Sequence, residues 1–188
     1  MEEIITALQK WNAFRKDAGA LQGFFNNLEG FNLDMSLFPA GVPLHAYPAI
    51  KDNALYFVVI SEVHDVNSPP NVLEENCFWI KCKETLINSQ EIPEGEALER
   101  INAWTTTKHQ WINDITQTDL GIYQNFFIPT YDLLPQTYNA TFALKNGLNP
   151  SLKEADLVLK SQSNLFFDTI RNEPPYADRK KYYILDLL

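Results

Sequence analysis

The stretch ALYFVVISEV, residues 54–63, decides the fold. Successive side chains of a strand alternate between faces. Tyr56, Val58 and Ile60 therefore point one way and Phe57 and Val59 the other. Apolar residues on both faces predict a central strand, covered on both sides over at least its first half.

Two turn signals bracket this strand. KDN at 51–53 precedes it, and SPPN at 68–71 breaks the chain after it. Upstream lies FNLDMSLFPAGVPLHAYPAI, 31–50, with Pro39, Pro43 and Pro48. Proline cannot donate to a ladder, so a strand here should be short or at an edge. Downstream, CFWIKCKETLI, 77–87, alternates: Phe78, Ile80, Cys82 and Leu86 on one face, Lys81, Lys83 and Thr85 on the other. TYNATFALK, 137–145, alternates as well. ADLVLKS reads as a strand, or as a helix begun at SLKE, where Ser151 and Glu154 fit a capping box. NLFFDTI and KKYYILDLL read as further strands, with RNEPPYADR as a loop between them.

Two segments carry helical periodicity. Over 2–18, Ile4, Leu8, Trp11, Arg15 and Ala18 recur at three or four positions, and Gly19 and Gly23 mark the end. Over 94–116, Leu98, Ile101, Trp104, Trp111, Ile112 and Ile115 form a stripe, with glutamates at the start. Lys108 falls within that stripe, where a lysine stem can lie along apolar surface while its amine reaches water. The segment 121–135 is aromatic, interrupted by Pro129 and Pro135, and ambiguous. The expected fold class is α+β: a mainly antiparallel sheet of about five to seven strands with two or three helices packed on it.

A chain of 188 residues suits a single globular domain over 1–188. Aromatic residues make up 13% and charged residues 21%, enough apolar surface to offset the entropy of folding. Net charge is −9, concentrated in the middle: residues 51–99 hold ten acids against Lys51, Lys81 and Lys83. An acidic middle argues against nucleic acid, whose phosphates need a basic footprint. It could steer a basic protein partner. The amphipathic, acidic start MEEIITALQKWNAF is unlike a secretory signal, and no apolar run reaches the roughly 18 residues of a membrane span. A cytoplasmic protein without a membrane partner is the expectation, with Cys77 and Cys82 reduced thiols on opposite faces of their strand.

The polar end of the central strand, SEVHD at 61–65, is the strongest candidate site. Continued as a strand, it places Glu62 and His64 on one face and Ser61 and Asp65 on the other. A histidine and a carboxylate on one face could bind a ligand or supply two ligands of a metal. Glu62 and His64 are thus the candidate ligand-binding residues. A third metal ligand is not evident. If 44–50 and 54–60 form a hairpin, a turn centred on residue 52 sets His45 opposite Val59, and a two-residue Asp52-Asn53 turn sets it opposite Ile60. In either register His64 lies about 13–17 Å further along an extended chain, too far to share an ion.

Other chemistry lacks its motifs. Ser61 has no Gly-x-Ser-x-Gly elbow. The 7 glycines never cluster as a phosphate loop requires. Cys77, which shares a face with Lys81 and Lys83, is the better placed of the two thiols. No cofactor is called for. The function these features favour is a non-enzymatic interaction protein that binds another protein, through an acidic, aromatic-rich surface. The alternative is a small-ligand or metal-dependent enzyme with a pocket near Glu62 and His64.

Overall fold

The computed structural model describes residues 1–83, 95–130, 133–147, 152–163, 166–167, 171–173 and 182–188. At its centre is the predicted hairpin of β2 (Leu44–Lys51) and β3 (Ala54–Ser61). Its two-residue turn is Asp52-Asn53, with φ of 49° and 57°. A two-residue hairpin favours such left-handed residues because their twist matches that of the strands, and Asp and Asn tolerate the conformation best after glycine. The register follows from this turn: Lys51 opposes Ala54, and His45 opposes Ile60.

The chain is α+β, with two antiparallel sheets in place of one. The five-stranded sheet has the order β4-β3-β2-β5-β9, with β4 Phe78–Lys81, β5 Asn125–Ile128 and β9 Arg171–Glu173. The four-stranded sheet has the order β1-β6-β7-β8, with β1 Gly30–Asp34, β6 Thr137–Asn146, β7 Lys153–Lys160 and β8 Phe166–Phe167. The helices are α1 (Glu2–Phe14), α2 (Ala18–Phe25), α3 (Pro70–Glu75), α4 (Glu96–Thr116) and α5 (Tyr183–Asp186). Among the described residues no helix is long and apolar enough to cross a membrane.

The β2–β3 hairpin is buried on both faces, as the sequence predicts for β3. Leu44, Ala46, Phe57 and Val59 enter the main core, against Phe31, Tyr138, Phe142 and Leu157 of the four-stranded sheet. Tyr47, Ala49, Val58 and Ile60 enter a second core, closed by Ile4, Ala7 and Leu8 of α1, by Leu73 of α3, and by Tyr182 and Ile184. The alternation of β4 divides the same way. Phe78, Ile80 and Cys82 join the main core, while Cys77 and Trp79 join the second. Cys77 and Cys82 are free thiols. The expected continuation of that strand through Thr85 and Leu86 lies outside the described residues, as does most of RNEPPYADR.

Three elements differ from expectation, each for a local reason. The helix read over 2–18 is two helices. It stops at Phe14, and Asp17 caps α2 by accepting a hydrogen bond from Ala20 N–H at 3.0 Å. Arg15 leaves the stripe to bind the carbonyls of Ile122 and Leu120. That approach needs Gly121, at φ +65°, where a Cβ would stand 2.7 Å from Arg15 O. Gly19 and Gly23 therefore sit inside α2.

Pro48, expected to mark a short or edge strand, lies within the eight-residue β2. Its neighbour β5 pairs only with Leu44–Ala46. Counting alternately from the hydrogen-bonded pair at the turn, Pro48 and Phe57 form a non-hydrogen-bonded pair. The proline nitrogen thus faces the side where β5 has ended, and no ladder bond is lost. Finally, KKYYILDLL closes as a short helix, α5, because it caps the second core with Tyr182 and Ile184 instead of extending a sheet. Of the two readings of ADLVLKS the strand holds: the chain runs as β7 from Lys153, pairing with β6 along its whole length.

Phe142 joins the layers. Its ring lies 5.4 Å from those of Phe25 and Trp104 and 6.2 Å from that of Phe57. It is 1% exposed. Replacement by alanine should cost about 3–5 kcal/mol, read as a lowered urea midpoint in equilibrium unfolding.

Candidate functional site

The polar residues of SEVHD are brought together by a turn. β3 ends at Ser61. His64 N–H and Asp65 N–H both donate to Ser61 O, at 2.9 and 3.1 Å. That helical geometry replaces the strand period of two with offsets of three and four. Ser61 and His64, expected on opposite faces, share a hydrogen bond of 2.8 Å between Oγ and Nδ1. Asp65 turns inward and is 2% exposed. Glu62 and His64 are half-buried, and Val63 between them is 55% exposed.

Asp65 is the residue that the strand reading missed. Its Oδ2 accepts from His45 Nδ1 at 2.6 Å and from the Tyr47 hydroxyl. Its Oδ1 accepts from the backbone N–H of Ile184 at 3.0 Å. One carboxylate therefore joins the 62–77 connection, strand β2 and the C-terminal helix. His45 does not meet His64, in keeping with the hairpin register, but it meets the next residue. The signal that could have shown this was the parity of β2: His45 and Tyr47 share a face, and a carboxylate within reach satisfies both.

Around this carboxylate the side chains are tightly enclosed. The Tyr182 ring lies 4.3 Å from that of His45. Asn125 of β5 is fully buried, and its amide has no hydrogen-bond partner among the described residues; the same holds for His45 Nε2. Burial pushes the Tyr47 hydroxyl well above its ordinary pKa, and the Asp65 charge raises it further. Burial likewise pushes the Cys77 thiol up to about 12, with added repulsion from Asp65 and Glu74. Cys77 is thus a protonated thiol at neutral pH and a poor nucleophile. Ser61 is 1% exposed and closed to substrate. Among the described residues no group of three His, Cys, Asp or Glu side chains could hold a metal ion.

Lys108, the lysine within the α4 stripe, donates to Asn26 O at 2.7 Å, at the C-terminal end of α2. Its burial lowers the ammonium pKa. A cation there complements the exposed carbonyls of the helix end.

The surroundings of SEVHD form one end of the molecule. Ser61 at the end of β3 opposes Leu44 at the start of β2, which opposes Ile128 at the end of β5. Asp34 at the end of β1 opposes Thr137 at the start of β6. Connections 35–43, 62–77 and 129–136 therefore leave the sheets at a common end. They are tied to one another: Glu62 N–H donates to Pro43 O at 2.8 Å, Thr130 Oγ1 to Val42 O at 2.8 Å, and Met35 N–H to Gln136 O at 3.0 Å. Of the strongly exposed large apolar residues among those described, Leu37, Val63, Val66, Val72 and Leu134 lie on these connections, and Leu120 alone lies elsewhere. Among their described residues these connections carry the unburied acids Glu62, Glu74 and Glu75, with Glu74 paired to the Met1 ammonium, and their sequence contains none of the 15 lysines and arginines. No aromatic residue among those described belongs to that exposed set.

Comparison with protein-family models, with curated proteins and with solved structures found no match.

Two outcomes follow from the buried carboxylate. Asp65→Ala leaves His45, Tyr47 and the Ile184 N–H without their acceptor and should destabilise by about 2–4 kcal/mol in urea unfolding. The raised Tyr47 and Cys77 values mean that the folded state holds protons the unfolded chain releases. Their contribution is fully present below about pH 8.5, the ordinary thiol value, and is lost as pH rises toward 12. Stability measured across pH 8–11 should fall, and Tyr47→Phe with Cys77→Ala should flatten that slope.

Proposed function

We propose that this protein is a non-enzymatic cytoplasmic interaction protein that binds a basic protein partner through the end formed by connections 35–43, 62–77 and 129–136. The single observation that carries this reading is the coincidence, at one end, of the exposed Leu37, Val63, Val66, Val72 and Leu134 with acids, on connections that contain no lysine or arginine. Clustered apolar side chains rimmed by charge mark interaction surfaces. Uniform negative charge selects a basic partner, speeds its encounter and repels a second copy of the same chain.

The connections are suited to binding in a second respect. They contain Pro39, Pro43, Pro69, Pro70, Pro129 and Pro135, six of the chain's 11 prolines. Proline reduces the freedom a loop must give up on binding. Hydrogen bonds from Glu62, Thr130 and Met35 tie the loops to one another. Glu62 and His64 belong to its rim as half-buried polar residues. On this reading they contact the partner and perform no chemistry.

A test uses a synthetic amphipathic peptide of alternating leucine and lysine, titrated into the 15N-labelled protein. Amide shift changes should concentrate on the three connections and weaken with salt. Val63→Ser with Leu134→Ser should weaken binding about five- to thirtyfold, the loss of about 1 kcal/mol of burial per side chain. Leu120→Ser should leave it unchanged. Shift changes spread over other surfaces, or equal affinity in the double variant, would overturn the assignment.

A further inference from the structure

We infer that the C-terminal segment 182–188 is a latch whose docking holds the 62–77 connection in shape, through the carboxylate of Asp65. The recognition surface and the C-terminal segment are then two coupled sites. The regulatory meaning rests on the binding role proposed above; the coupling itself does not.

The geometry supplies the link. Asp65 lies two residues from Val63, adjacent to Val66, and within the turn that places Glu62 and His64. Its Oδ1 takes the N–H of Ile184, at the start of α5. Its Oδ2 takes His45 and Tyr47 from β2, which is fixed in the sheet. With the segment docked, all three donors converge on the carboxylate and fix its position. With it lifted, Oδ1 loses the Ile184 N–H and the ring of Tyr182 leaves His45 open to water. The connection then loses one of the three contacts that direct Asp65 inward.

The segment is built to hold without being locked. Tyr182 and Ile184 are buried in the second core, while Tyr183, Leu185, Leu187 and Leu188 pack against it partly exposed. Beneath it, His45 Nε2 and the Asn125 amide find no partner among the described residues. Water admitted by opening satisfies both groups, which lowers the cost of the open state. Two sites that share one carboxylate must bias each other equally. Binding at the connection strengthens docking of the segment, and loss of the segment weakens the surface.

Hydrogen exchange reads this without a partner. The reporters are the bonded amides of Leu185 and Leu187 in the segment and of Glu62, His64 and Asp65 in the connection, with Phe142 N–H as the control in the main core. Ile184→Ala should accelerate exchange at Leu185 and Leu187 by about tenfold or more, and at Glu62, His64 and Asp65 by a similar factor, leaving Phe142 unchanged. Leu187→Ala, a milder change at a partly exposed position, should give the same pattern at smaller amplitude. Asp65→Asn, read in reverse, should accelerate Leu185 and Leu187. Accelerated segment amides with an unchanged connection would overturn the latch. So would a segment that holds its protection in both C-terminal variants. Should the exchange pattern appear while the leucine–lysine peptide fails to bind, the coupling stands and the binding role falls.

Discussion

The β2–β3 hairpin is the constraint on which the rest of the structure depends. A hairpin buried on both faces has no solvated side on which to place polar groups. Elements on both faces are positioned by covering it. The four-stranded sheet lies on one face, through the rings of Phe31 and Phe142 against Phe57. Helix α1 and the C-terminal segment lie on the other, through Ile4, Leu8, Tyr182 and Ile184. The hairpin's own polar residues, His45 and Tyr47, therefore sit in the second core and must be satisfied there. Asp65 does that, and so the chain following β3 cannot leave as an extended strand. It has to coil back by one helical turn to deliver the carboxylate.

This explains how far the sequence could be read. The hairpin was legible because KDN signals a turn and the side-chain period of two is clear over 54–60, while its register stayed open between two turns until Asp52-Asn53 settled it. The two-sided burial of 54–60, the alternation at 77–82 and 137–145, and the stripe of α4 were legible for the same reason: each is a local regularity. What was not legible depends on partners distant in sequence. Helix α1 stops at Phe14 because Arg15 serves carbonyls more than a hundred residues away. KKYYILDLL has strand propensity, but the second core needed a cap. SEVHD looked like a strand leaving the core because nothing within five residues announces that His45 and Tyr47 require an acceptor. The candidates Glu62 and His64 were found by their position beside the strand end; their meaning came from Asp65, which the strand parity had assigned to a different face.

Charge is distributed by the same logic. Buried charges here are enclosed by partners. Asp156, 1% exposed, is met by Arg100 at 2.9 Å and Lys145 at 3.3 Å, and Asp65 by three donors. Such arrangements contribute little net stability over apolar packing, but removing one member is costly. They are better understood as fixing a particular arrangement of the chain. Surface acids at the loop end have no such partners in their own connections, since no lysine or arginine occurs there. At that end Glu74 pairs with the Met1 ammonium, while Glu62 and Glu75 lie on connections that also expose valine and leucine.

The two features then become parts of one arrangement. A recognition surface built from three loops gains affinity only to the extent that the loops are ordered before binding. Prolines order them locally, and backbone bonds from Glu62, Thr130 and Met35 order them relative to one another. The 62–77 connection is the longest of the three and carries three of the exposed valines. Leu73 anchors its α3 end in the second core, and Asp65 anchors its first turn. The carboxylate makes the hold on that turn conditional on donors, and one of those donors is the backbone of a short terminal helix. The choice of an aspartate ties the order of the surface to the docking of the segment, at the cost of a buried polar cluster that is not fully satisfied.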